Sequence, residues 1–398
     1  MSKSTLKKKN RNKNKNNKLR RYSNRNIKNV SSDEVTRYEA CFILYALGDT
    51  IGFKNGEWEF NFYKTGINFE ITNEIVYDFI WLGGINAINL DGWNVSDDTI
   101  IHMAIIKSLL KSSKNYNNDT ITIIKDELIS ALDEINQDEK NNIRRAAGVT
   151  TVKYIEKFKK GYDGTNSPYD KSAGGNGAAM RTLCIGLAFR GVENRDKLIK
   201  FSIESSKLTH NSAIGYLGGL VAALFTAYAI EDIEITKWPF LLIELLESSQ
   251  VKMYIGRDQD EQADYFTFIN NWKKYVDSRF DDDQKLNEAT YSQINLIARS
   301  KYYYDNFTRN TPSYLIGESG YSATIMAYDA LIDAKNVWEK LIFYSALHFG
   351  DSDTVAAIAC GWYGTLYGYG DVPSSNLSYL EFKKELIDLS HKFYEKFN

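Results

Sequence analysis

The chain has 398 residues, with 49 Lys and Arg against 51 Asp and Glu, 43% hydrophobic and 25% charged residues. That balance belongs to a globular protein with a sizeable core, and only 4 prolines exclude a Pro-rich, loop-dominated architecture. Cys41, Cys184 and Cys360 lie far apart without CxxC spacing, which disfavours a disulfide framework and a cysteine zinc site and fits a reducing compartment. No charged-then-apolar leader opens the chain, and the apolar run YLGGLVAALFTAYAI is short and interrupted by glycines for a membrane span. The expectation is an intracellular protein, cytoplasmic or nuclear, with no membrane partner.

Charge is unevenly spread. Residues 1–30 carry 12 Lys and Arg and no acid, which leaves 37 basic against 51 acidic residues beyond them, a net of −14. This Asn-rich stretch has almost nothing to bury, so it reads as a disordered basic tail. Nuclear import or a weak electrostatic contact with nucleic acid suits it; aromatic residues are nearly absent from it, which leaves no platform for bases.

From Ser31 onward the pattern is helical. SSDEVTRYEACFILYALGD opens with Ser/Asp start signals and continues as an apolar run. After it come WNVSDDTIIHMAIIKSLL, MRTLCIGLAFRG, DKLIKFSIESSKL, NSAIGYLGGLVAALFTAYAI, FLLIELLES, SATIMAYDALIDA, WEKLIFYSALHFG, DTVAAIACGWYGTLYG and YLEFKKELIDLSHKFYEKF. Apolar residues recur at three/four spacing, and period-two alternation is rare. The fold class is therefore all-α, with residues 31–398 as one domain. Gly215, Gly218 and Gly219, and Gly361, Gly364 and Gly368, predict close helix packing. Residues 251–315 are polar and Tyr-rich and read as a surface insertion or a lid.

Two acidic clusters carry the chemistry. Ser96-Asp97-Asp98-Thr99 precedes one apolar helix, and Asp351-Ser352-Asp353-Thr354 precedes another. Each alone reads as an N-cap. The helices are too apolar for the surface, so both starts point into one core and gather four carboxylates. Two helix N-termini offset about one of the four charges, and neither cluster has a basic neighbour in sequence. A buried like-charge cluster must protonate, recruit Lys or Arg, or bind cations. Carboxylate and hydroxyl oxygens select Mg²⁺, Mn²⁺ or Ca²⁺, so the residues predict a mono- or dinuclear Mg-type site. Gly174-Gly175-Asn176-Gly177, ahead of AAMRTLCIGL, reads as an anion cradle at a helix start.

The ordered set ALGDTIGFKNGEWEF, WNVSDDTIIHMA, GGNGAAMRTLCIGL, SIESSKLTH followed by GYLGGLVAALFTAYA, TIMAYDAL, and HFGDSDTVAAIACGWYGTLYG resembles the ADP-ribosylglycohydrolase family. The resemblance runs from about residue 37 to about residue 395 and is closest to the ADP-ribosylarginine hydrolase branch. It implies an all-α globule with two Mg²⁺ or Mn²⁺ ions, acting on ADP-ribosylated protein and releasing ADP-ribose. It implies metal ligation by the Ser96 hydroxyl, Asp97, Asp98, Asp351, Asp353 and the Thr354 hydroxyl. Asp98, and next Asp97, would activate water. Glu59, ahead of Glu57 as the matching acid, would orient the ribose or leaving group. The Gly174–Gly177 loop would hold the diphosphate, His210 would contact phosphate or ribose, and Tyr321 would stack on adenine or ribose. His102 and Cys360 read as structural, and His348 as a neighbour of the ligands. Other linkages (serine, poly-ADP-ribose, O-acetyl-ADP-ribose) and a non-catalytic ADP-ribose-binding module are the alternatives, with a tail-led nucleic-acid role behind them. The chain departs from the arginine-specific pattern at Phe53 and Lys54, where that branch has two tyrosines, and across residues 251–315.

Overall fold

The apolar run after Asp33 becomes a 20-residue helix, α1 (Glu34–Phe53), whose first turn is capped by the Asp33 carboxylate accepting from the Thr36 amide. The computed structural model describes residues 33–60, 69–113, 118–165, 167–288, 290–308 and 315–398; the basic stretch 1–30 lies outside them. The helices that follow are α2 (Ile71–Trp81), α3 (Asp97–Lys111), α4 (Asn118–Lys140), α5 (Val149–Lys159), α6 (Leu183–Ala188), α7 (Arg195–Lys207) and α8 (Ala213–Ile230). Beyond these lie α9 (Trp238–Glu247), α10 (Ser249–Lys252), α11 (Gln259–Arg279), α12 (Tyr291–Ile294), α13 (Leu296–Phe307), α14 (Gly320–Ala334), α15 (Trp338–Ser345), α16 (Ser352–Tyr367) and α17 (Lys383–Phe397). Among the described residues there is no strand, only two isolated bridges, so the all-α expectation holds.

The core is built around three apolar helices. Every residue of α8 is buried, which makes it a central helix of the globule rather than a stripe on its surface. α1 and α16 run antiparallel and form the largest helix–helix contact of the chain. Glycines let their backbones touch. Gly48 of α1 faces the Ala356 carbonyl, Gly52 faces Ser352, and Gly364 of α16 faces Ala40. The Ser352 hydroxyl donates to the Gly52 carbonyl at 2.7 Å and fixes the register. Of the predicted glycines, Gly215, Gly218, Gly219, Gly361 and Gly364 do meet neighbouring elements at close range, whereas Gly368 ends α16 at positive φ.

Residues 251–315 differ from the expected insertion or lid. α11 is anchored in the core by Phe268, Trp272 and Tyr275, all fully buried. Arg279 of α11 and Arg299 of α13 both pair with Asp329 and Asp333 of α14. Tyr275 and Tyr303 donate to the same Asp329 carboxylate. The polar composition of this segment thus conceals a buried, charge-balanced network that ties it to the core.

Gly48→Ala tests the backbone contact. The added Cβ would stand 2.5 Å from the Ala356 carbonyl oxygen, and a loss of about 1–3 kcal/mol is expected in urea unfolding. Gly148→Ala, whose Cβ would meet nothing nearer than 3.9 Å, should cost under about 1 kcal/mol.

Candidate functional site

The α1–α16 contact decides where the acids meet. It brings the last turns of α1 beside the start of α16, so Gly52 stands next to Ser352 and Asp353, with Asp49 one turn before it. Asp49 is a fully buried carboxylate on an apolar helix. It accepts from the Ser96 amide at 3.0 Å, from the Thr99 amide at 3.1 Å and from the Thr99 hydroxyl. Those groups are the N-terminal end of α3. Asp49 therefore caps α3 from another helix, while the Ser96 hydroxyl caps it locally by accepting from the Asp98 amide at 3.1 Å.

A second layer holds the same strand of backbone. The Asp97 amide donates to the Arg145 carbonyl at 2.8 Å. Arg145, 1% exposed, grips both oxygens of Glu381 at 2.8 Å and the Val95 carbonyl at 2.8 Å. Glu381 in turn accepts from the Val95 amide at 2.9 Å. Neither Asp49, Arg145 nor Glu381 was singled out from the sequence. For Asp49 there was a signal, a lone acid inside the apolar run ILYALGDTIGF; for the other two there was none.

The second cluster starts α16. Asp351 is its N-cap residue, and the Thr354 amide donates to the Asp353 carboxylate at 2.8 Å. Asn176 of the glycine loop donates through Nδ2 to Asp351 Oδ2 at 2.9 Å and to the Gly317 carbonyl at 2.7 Å. The loop also pairs with residues 318–320: the Asn176 amide donates to the Glu318 carbonyl at 2.9 Å, and the Gly320 amide to the Gly174 carbonyl at 3.2 Å. The GEWEF loop closes over the cluster, with the Phe60 amide on the Gly350 carbonyl at 3.0 Å.

Burial and mutual repulsion act on these acids together. Burial pushes the carboxyls of Asp97, Asp98, Asp353 and Glu59 well above the ordinary carboxylate range, and repulsion across the clusters adds to it. Asp97 feels Asp49 and Asp351; Asp98 feels Asp97, Asp49 and Asp351; Asp353 feels Glu59, Asp351 and Asp98. Asp351 is raised by burial against hydrogen bonds that favour its charge, and burial lifts Asp49 to about 6. Glu59 Oε2, Asp97 Oδ2, Asp98 Oδ2 and Asp351 Oδ1 are buried without a hydrogen-bond partner. Such oxygens are a hard donor set suited to Mg²⁺ or Mn²⁺. As the side chains stand, no three His, Cys, Asp or Glu among the described residues form a ready ligand group.

Several sequence expectations change in detail. AAMRTLCIGL is not one helix: a 3₁₀ turn, Ala179–Arg181, is followed by the six-residue α6, and the Thr182 hydroxyl at the break donates to the Gly219 carbonyl at 2.7 Å. The glycine loop therefore lacks a long helix dipole behind it. Asn176 spends its amide and side chain on holding the loop to Asp351, so it is a link and not an open anion contact. His210 lies against Gly175 and Gly177, as a cradle residue should. Burial pushes it down to about 3 and its Nδ1 is paired with the Thr209 hydroxyl at 2.8 Å, so a neutral ring offers a hydrogen bond rather than a charge. Tyr321 is corrected: the ring is 1% exposed and meets Phe268 edge-on inside the core, where no base can stack on it. His102 packs on Phe42 and Tyr45, and the His348 Nδ1 accepts from the Gly350 amide at 3.2 Å beside Asp351. Lys54 reaches Asp78 and Glu57 and lies over the Trp58 ring, one residue before Glu59.

A buried cluster of six carboxylates at two helix starts, flanked by a glycine loop, can be compared with known proteins. The ADP-ribosylglycohydrolase profile matches residues 31–398. The chain is 35% identical over 361 residues to the putative ADP-ribosyl glycohydrolase L444 of Acanthamoeba polyphaga mimivirus, covering 87% of this chain and 68% of that protein. It is 34% identical over 372 residues to ADP-ribosylhydrolase ARH1 of Dictyostelium discoideum, covering 87% and 91%. Identity with ADP-ribosylhydrolase ARH3 of Xenopus tropicalis is 25% over 309 residues, covering 75% and 81%. A solved chain from an ADP-ribosylglycohydrolase-related protein complex shares the fold with a TM-score of 0.55 at 16% identity, covering 92% of this chain and all of that one. Fold and sequence together define a helical glycohydrolase. The chain belongs to the ADP-ribosylglycohydrolase family, and that membership supports hydrolysis of ADP-ribose linkages.

Asp98→Asn tests the crowding of charge. The folded carboxyl is raised, so the wild type loses stability as pH climbs from the unfolded value near 3.9 upward; asparagine does not titrate. In chelator-treated protein the variant should melt higher than wild type at pH 8, with a smaller gap at pH 5. Buried histidines contribute equally to both proteins and cancel. Equal melting temperatures at both pH values would show that Asp98 is not in a crowded buried site.

Proposed function

We propose that the protein removes ADP-ribose from ADP-ribosylated arginine side chains with the help of two Mg²⁺ or Mn²⁺ ions. The observation that carries this reading is the meeting of Asp97, Asp98, Asp351, Asp353 and Glu59 in one buried place, with carboxyl oxygens left unpartnered. Ser96, Asp97, Asp98, Asp351, Asp353 and Thr354 would hold the ions. When bound, the ions supply Lewis acidity and offset the carboxylate charge.

Protein groups do the rest. Gly174, Gly175 and Gly177 let backbone approach the diphosphate, and His210 adds a neutral hydrogen bond. Cleavage at the anomeric carbon passes through an oxocarbenium-like state, which the surrounding carboxylates stabilise. Asp98 takes the proton of the attacking water, with Asp97 as its nearest substitute. Glu59, buried within the GEWEF loop, orients the ribose or the leaving group. A protonated guanidinium leaves as a neutral base and needs little acid help, whereas a serine alkoxide needs a general acid. A cluster dominated by carboxylates suits the guanidinium, and net charge near −14 beyond the basic stretch suits a cationic polypeptide. Other ADP-ribose linkages, serine among them, are the second reading, since relatives named ADP-ribosylhydrolase ARH3 match beside one named ARH1.

Arginine- and serine-ADP-ribosylated peptides incubated with Mg²⁺, with Mn²⁺ or with EDTA separate these readings, free ADP-ribose being measured. Release from the arginine peptide, lost in EDTA and reduced at least about 10³-fold in Asp97→Ala/Asp353→Ala, is expected. Release only from serine would transfer the protein to the second reading. Release that survives chelation would overturn the metal-assisted one, and tight ADP-ribose binding without turnover would make the protein a binding module.

A further inference from the structure

We propose that Asp49 is a positioning residue, a clamp that aims Asp97 and Asp98 at the second cluster and so sets metal affinity; this rests on the metal-dependent reading above. A carboxylate placed among like charges needs a reason. Asp49 is fully buried, and both Asp97 and Asp98 feel its charge. A hydrophobic residue in its place would lessen the repulsion. What Asp49 provides instead is directional. One carboxylate takes two amides and one hydroxyl from residues 96 and 99, the two ends of the turn that presents Asp97 and Asp98.

Local capping alone does not achieve this. The Ser96 hydroxyl satisfies the Asp98 amide, but it turns with its own residue and carries no information about α16. Asp49 belongs to α1, one turn before Gly52, whose carbonyl is held by Ser352 at 2.7 Å. The clamp therefore ties the α3 start to the helix that is itself locked to the α16 start. Its contacts lie beneath the turn, on the amide side, while Asp97 Oδ2 and Asp98 Oδ2 remain unpartnered. Asp49 spends its oxygens on the backbone so that its neighbours keep theirs for a cation. A group held in this way behaves like the outer partners of metal ligands, whose loss costs about 10–100-fold in affinity or activity.

The test separates positioning from plain stability. Mn²⁺ binding is measured by calorimetry and thermal unfolding on wild type, Asp49→Asn, Thr99→Val and Thr99→Ser, with kcat and KM followed on the arginine-linked peptide. Asp49→Asn keeps volume and removes a buried charge, so its chelated form should melt no lower than wild type. Its Mn²⁺ affinity should fall at least about tenfold, with kcat lowered and KM little changed. Thr99→Val keeps shape but loses the hydroxyl donated to Asp49, and should move both quantities the same way by a smaller factor. Thr99→Ser restores the hydroxyl and should recover most of the loss. Wild-type Mn²⁺ affinity in both Asp49→Asn and Thr99→Val overturns the proposal, as does a fall in chelated stability with metal affinity unchanged. Should Asp49→Asn not fold, the contrast between Thr99→Val and Thr99→Ser decides alone. Wild type that binds no Mn²⁺ would sink the metal-dependent reading itself, a result distinct from these.

Discussion

The direct contact of α1 with α16, backbone against backbone, is the constraint on which the site depends. Side chains at Gly48, Gly52 or Gly364 would hold the two helices apart, since an added Cβ at each meets main-chain atoms of the other helix. The antiparallel crossing has a consequence at one end. The last turns of α1 lie beside the first turn of α16, so a carboxylate on α1 can reach the start of α3 while the adjacent carbonyl receives Ser352. Packing that looks purely structural thereby sets the distance between acids far apart in sequence. Interiors this dense do not stretch to accommodate error, so the geometry of the cluster inherits the rigidity of the helix pair.

The parts of the molecule legible in its sequence were those with local signals. All-α architecture followed from three/four periodicity, and the site followed from acids placed at the starts of helices too apolar to be exposed. Asp49 was visible as a lone acid in apolar sequence, but its partners are 47 and 50 residues away and leave no pattern. The bidentate grip of Arg145 on Glu381 spans 236 residues and is invisible for the same reason. The family resemblance makes Tyr321 a stacking residue, yet it is the second residue of α14, already inside the core. AAMRTLCIGL has helical periodicity throughout, and its break at Thr182 comes from a hydroxyl that finds a carbonyl of α8. In each case a tertiary contact outweighed, or was hidden behind, a sound local preference.

The chain solves the problem of buried carboxylates twice, in opposite ways. Around Asp329 and Asp333 it supplies Arg279 and Arg299 from two other helices, with tyrosine hydroxyls completing the shell. Charge is balanced there and the donors are used up. Such a network fixes one arrangement and leaves nothing open to a ligand. At the junction of α1, α3 and α16 the acids are more numerous, and the guanidinium nearest in effect, Arg144, is exposed and acts on Glu59 from outside. Asn176 donates to one oxygen of Asp351, and the amides of residues 96 and 99 donate to the Asp49 carboxylate. Glu59 Oε2, Asp97 Oδ2, Asp98 Oδ2 and Asp351 Oδ1 stay unpartnered.

A protein able to place arginines against buried aspartates in one region has no need to omit them in another unless the charge is wanted. Leaving the cluster unbalanced costs stability, and the pH dependence of the chelated protein measures that cost directly. Protonation of some of the acids relieves that cost, and so does positive charge supplied from solution. Divalent cations do so reversibly, and the oxocarbenium character of a departing ribosyl group draws on the same negative field. The electrostatic imbalance, more than any single residue, is what separates an enzyme's site from a well-packed helical core.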